Sequence, residues 1–138
     1  MKHYTIILLT ILSLLTSAQA DNNKIYSKIS EKQREAAALM TLEATPGVVK
    51  VYAKGLCCES CAIGIRKKVH KLKFVDTSKL NKGVDLDART QLVTIAVRQG
   101  EAVDIPALKK AIKEAGYEAI KLYELTADKK LKSAPLNR

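Results

Sequence analysis

From Val48 onward the apolar residues change period in a fixed order, and that order leaves few folds open. Val49, Val51 and Ala53 alternate with Lys50, Tyr52 and Lys54, the pattern of a half-buried strand. Ala62, Ile65, Val69 and Leu72 then recur at helical spacing, with Arg66, Lys67, Lys68 and Lys71 largely around them. Lys73 to Lys82 reads as a long polar loop. Val84, Leu86 and Ala88 alternate again, and a turn around Arg89-Thr90-Gln91 leads to the apolar run Leu92 to Val97, which predicts a hairpin. Asp104 is placed to cap a second helix, with Pro106 in its first turn. Leu108, Ala111, Ile112 and Ala115 form its stripe, and Gly116 ends it. Ala119 to Leu125 predicts a fourth strand with Ile120 and Leu122 facing inward. The order β-α-β-β-α-β with right-handed crossovers predicts an α+β, ferredoxin-like sandwich: an antiparallel four-stranded sheet with both helices on one face.

The flanks read differently. Residues 1–20 carry Lys2, an apolar run from Tyr4 to Leu15 and the small-residue site Ala18-Gln19-Ala20, the layout of a cleavable signal peptide. The run is short for a membrane span, so the expected mature chain begins at Asp21, is exported to the periplasm, and has no stable membrane insertion. Residues 21–46 form an N-terminal extension. In it Ser30 and Gln33 have capping-box spacing and the residues from Glu31 to Ala44 favour a short helix. Pro46-Gly47 breaks the chain before the domain at 47–125, and 126–138 reads as a loose polar tail.

All three cysteines lie in Cys57-Cys58-Glu59-Ser60-Cys61. A disulfide framework would spread them along the chain to close long loops; clustered, they indicate a site. Two thiols in Cys58-x-x-Cys61 at a helix entrance suit two chemistries, soft-metal binding and disulfide cycling. A closed structural zinc site needs four ligands, and two are missing. His70 lies nine residues past Cys61, out of phase with it on a helix, and reads as a surface histidine. The net charge of +10 favours acidic partners or anionic surfaces, and export argues against nucleic acid.

Gly55-Leu56-Cys57-Cys58-Glu59-Ser60-Cys61-Ala62 resembles the G-M-x-C-x-x-C-A motif of the heavy-metal-associated domain family. The following helix, the hairpin and Ala111-Ile112-Lys113-Glu114-Ala115-Gly116-Tyr117 match that family in order and kind, over roughly Val48 to Leu125. The resemblance implies a βαββαβ fold and a non-enzymatic protein. Cys58 and Cys61 would bind Cu(I) or Hg(II), with Zn(II) and Cd(II) also in range, and deliver the ion to a metal transporter or another metal-carrying protein. Exported single-domain members include periplasmic mercury-binding proteins and copper carriers. Tyr117 occupies a position whose ring lies near the metal loop in many bacterial members.

Three departures stand out. Leu56 replaces the family's usual Met at similar volume. The loop 73–82 is longer than usual. Cys57 is an additional thiol: a third ligand, an exposed thiol, and a disulfide- or metal-linked dimer of an otherwise monomeric chain are all open. Two other functions compete with the carrier: a thiol–disulfide redox protein using the same pair, and a basic binding module with incidental cysteines. Against the redox reading, the chain lacks the surrounding pattern of a thioredoxin-like fold.

Overall fold

The computed structural model describes residues 29–137, apart from the side chains of Glu59, Cys61 and Ala62. The expected signal peptide and the start of the extension lie outside these residues. The elements are α1 (Glu31–Ala44), β1 (Val48–Lys54), α2 (Glu59–Val69), β2 (Val84–Asp87), β3 (Leu92–Ala96), α3 (Ile105–Glu114), β4 (Glu118–Leu125) and β5 (Leu131–Pro135). The strands form one antiparallel sheet in the order β2-β3-β1-β4-β5. Its first four strands and α2 and α3 make the expected ferredoxin-like α+β arrangement. No helix among the described residues is long and apolar enough to cross a membrane.

One face of the sheet packs on α2 and α3. Val49, Val51 and Ala53 of β1 meet Ile65, Val69, Leu108 and Ile112 there, with Leu56 from the loop after β1. Asp104 caps α3 by accepting from the Ala107 N–H at 3.0 Å, with Pro106 in the first turn. The helix α2 stops at Val69, three residues before the apolar stripe does. Leu72 still packs on the core, but from a turn.

The opposite face is also covered, by α1. Its capping box is complete: the Gln33 N–H donates to Ser30 Oγ and the Ser30 N–H to Gln33 Oε1. Arg34, Ala38 and Leu42, four residues apart, form the buried stripe. Ala38 and Leu42 pack with Val48, Leu92, Ala96 and Tyr123. With both faces covered, every residue of β3 is buried. Lys121 of β4 bonds Glu31 and lies 3.7 Å from Glu35, tying the helix to the sheet.

Two details depart from simple alternation. Tyr52 pairs with Lys121 and Ala53 with Ala119, so Ile120 is the extra residue of a β-bulge. The bulge changes the phase of β4, and Ala119 with Leu122 faces the helices in place of Ile120 with Leu122. The segment expected to be a loose tail instead turns at 126–130 and returns as β5, paired to β4 from Leu125↔Leu131 to Lys121↔Pro135. Leu136 then buries its side chain, and its N–H donates to the Ile120 carbonyl at 2.8 Å.

Lys50 shows what α1 does to the sheet. Sequence alternation puts it in solvent, yet it is only 4% exposed, and its Nζ donates to Thr41 Oγ1 at 2.8 Å. Burial pushes its pKa below the ordinary lysine value, with Asp87 and Asp85 opposing more weakly. The unfolded chain therefore holds more protons between that lowered pKa and the ordinary one, so stability rises with pH across this window. Lys50→Met should remove that rise and, by ending the burial of a charge, stabilise the fold by about 1 kcal/mol. Thr41 is not orphaned, because its hydroxyl donates to the Ala37 carbonyl. Urea midpoints of both proteins at pH 8 and 10 check this; an unchanged pH slope in the variant contradicts it.

Candidate metal centre

The cysteine loop leaves the sheet through Gly55, whose φ of +95° lies in the left-handed region that favours glycine. A Cβ at this position would sit 3.6 Å from Tyr117 Cδ1, so the tyrosine ring borders the loop. Leu56 is fully buried and anchors the loop in the core where the related motif has Met. Cys57 is exposed. Cys58 is half-buried and is the N-cap of α2, in extended conformation. Successive residues thus alternate between core and solvent, which separates Cys57 from the core side of the loop.

Cys61 is the third residue of α2; its side chain lies outside the described set. Cys58 is disulfide-bonded, so the loop is in an oxidised form. Its sulfur therefore carries no proton, and the Ser60 hydroxyl, 3.2 Å away, is the donor to it. On reduction, that hydroxyl and the positive end of the α2 dipole would both favour a thiolate at Cys58. Among the described residues no three His, Cys, Asp or Glu side chains are grouped to hold a metal. His70 is engaged otherwise: its Nδ1 lies 2.8 Å from the Arg66 carbonyl at the end of α2.

The positive charge near the loop has a different source from the one sequence adjacency suggests. Arg66, Lys67 and Lys68 occupy the last turn of α2, about 10 Å along the axis from its start. Lys68 faces Glu114 at 3.3 Å, and Arg66 donates to the Val84 carbonyl. Instead, a cleft of about 890 Å³ adjoins Gly55, and its lining includes Lys54, Lys109, Lys110, Lys113 and Tyr117, with Glu118 as the one carboxylate against four lysines. No local sequence signal joins the end of β1 to α3; the fold brings them together. Ile63 of α2 adds an apolar residue, half exposed, near the loop.

Gln91 also reaches the loop unannounced by any motif. From the turn between β2 and β3 its Nε2 donates to the Leu56 carbonyl at 3.2 Å.

The sequence profile of the heavy-metal-associated domain matches residues 50–118, half of the chain, and includes the cysteine loop. No curated protein and no solved structure gives a significant match. Proteins of this kind bind heavy-metal ions and typically carry them without catalysing a reaction.

Proposed function

Because the chain belongs to the heavy-metal-associated domain family, we propose that it carries a soft metal ion on the thiolates of Cys58 and Cys61. The position of Cys58-x-x-Cys61 carries this reading: the pair spans the entrance of α2, with Cys58 as its N-cap. Thiolates select Cu(I) or Hg(II), with Zn(II) and Cd(II) as harder competitors. Two protein ligands leave coordination positions open, which suits transfer to a metal transporter or another carrier. The lysine-lined cleft beside the loop supports an acidic face on that partner. Export to the periplasm belongs to the same reading and rests on residues 1–20. Mass spectrometry of the protein recovered from that compartment should give a chain starting at Asp21; an intact Met1 in the membrane fraction contradicts it.

The disulfide at Cys58 sets a condition on loading. Metal needs deprotonated, reduced thiols, so the oxidised protein should take up no Cu(I) until a reductant opens the bridge. Anaerobic titration of the reduced protein should show one ion per chain with release of thiol protons. The competing redox reading predicts steady turnover in a disulfide-reduction assay and no tight, stoichiometric ion. That result would replace the carrier.

A further inference from the structure

The hydrogen bond that holds the metal loop is itself held from the opposite side of the sheet. Gln91, at φ 56°, grips the exit of β1 at two points. Its carbonyl accepts from the Ala53 N–H at 3.0 Å, and its side-chain amide donates to the Leu56 carbonyl at 3.2 Å. These contacts bracket Lys54-Gly55 and end one residue before Cys57. The neighbouring carbonyl, that of Thr90, accepts from Arg34 Nε of α1 at 2.9 Å.

Arg34 is an unusual residue to spend on this contact. It is 6% exposed, its guanidinium lies 3.7 Å from the centre of the Tyr52 ring, and among the described residues no carboxylate forms an ion pair with it. Burying a guanidinium without a carboxylate is costly, and an apolar residue would complete the Ala38–Leu42 stripe more cheaply. What the arginine adds is a fixed position for the 88–91 turn. Asp87 fixes the same turn from within, accepting from the Arg89 N–H and the Thr90 hydroxyl, each at 2.9 Å.

We propose that Arg34 and Gln91 are positioning residues for the metal loop: α1, outside the family-matched region, sets through Arg34 and the 88–91 turn how firmly Gln91 holds the backbone ahead of Cys57 and Cys58. The inference rests on the carrier reading for its consequence, and on these bonds for its mechanism. The extension then controls how readily the ion is released, without touching it.

The test uses the reduced full-length protein. Gln91→Ala should speed transfer of Cu(I) to a competing chelator about fivefold, the worth of one net hydrogen bond, and speed amide exchange at residues 56–58 in the metal-free protein. Arg34→Ala should do the same from the far face. The double variant should be no worse than Gln91→Ala alone, since both act through one contact. Leu42→Ala is the control for mere loosening of α1: it should lower global stability while leaving loop exchange near that of the parent. Additive effects of the two substitutions, or equal loop exchange in Leu42→Ala and Arg34→Ala, would overturn the proposal. If the parent protein fails to bind Cu(I), the carrier reading fails, and the exchange measurements still decide whether Arg34 and Gln91 hold the loop.

Discussion

Cys58→Ser and Cys61→Ser should each lower Cu(I) or Hg(II) affinity by about a hundredfold or more, with the fold intact. The size follows from ligand arithmetic. Four-ligand zinc sites bind with about 10–16 kcal/mol, so one ligand contributes about 3 kcal/mol, or two decades. Here the loss also converts a chelate into a single thiolate. The fold survives because Cys58 stands at a half-buried N-cap and contributes no side-chain cap bond. Serine is a favoured N-cap, so Cys58→Ser should match or exceed the melting temperature of the reduced parent, which also lacks the disulfide, while binding collapses. That opposition separates a ligand from a structural residue. Competition titration against a Cu(I) chelator, with thermal unfolding alongside, gives both readouts. Unchanged one-to-one tight binding in the double variant would sink the assignment. Cys57→Ser should keep one ion per chain at several-fold weaker affinity, with X-ray absorption reporting two sulfurs; complete loss would make Cys57 a primary ligand.

Gly83→Ala should be the most damaging conservative change to the fold, at about 2–5 kcal/mol. Gly83 has φ +82°, and a Cβ there would lie 2.4 Å from Val75 Cγ1 and 2.9 Å from the Asp76 carbonyl oxygen. The left-handed backbone alone costs a substituted residue about 1–2 kcal/mol, and overpacking adds about 1–3. Relief by movement is blocked on each side. Val75 is fully buried and bridges to Val97, and the Asp76 N–H donates to the Ala96 carbonyl at 2.9 Å. Gly83 itself donates to Lys79 and accepts from Ala96. Against a total stability of about 5–15 kcal/mol, the melting temperature should fall by about 10 °C or more. Gly100→Ala is the matched control. It has φ +83° with nothing within 4 Å of the added carbon, so it should incur the backbone cost alone. Equal losses in the two variants would show that the contact with Val75 is harmless.

The ferredoxin-like frame was legible because its elements announce themselves locally: alternation in β1, a helical stripe after the cysteines, Asp104 and Pro106 opening α3. The capping box of α1 was legible for the same reason. The location of α1 was not. Its buried stripe is a single row of Arg34, Ala38 and Leu42, with an arginine in it, so the helix shows little amphipathic signal. Lys50 and Tyr52 looked solvent-facing because alternation reports one covered face and cannot report a second. Ile120 was misplaced because a bulge shifts the period by one residue without changing composition. The strand β5 was hidden among Lys129, Lys130 and Lys132, its register set by β4. At the proposed site, the Cys58-x-x-Cys61 spacing is a local sequence signal. The cleft lysines and Gln91 give none, since they meet the loop only through tertiary structure.

The edges of the sheet bear on how such a protein stays apart from its own copies. A ferredoxin-like sheet without β5 would end in the eight-residue β4, a long row of unpaired backbone groups open to any extended segment. Here β5 occupies that row. The new border is five residues long, carries the exposed Lys132 and ends in Pro135, which has no N–H to donate. The other border, β2, has four residues, two of which are the carboxylates Asp85 and Asp87. Both borders resist strand addition. Two copies of the chain can therefore meet often without templating each other into filaments through their sheet edges.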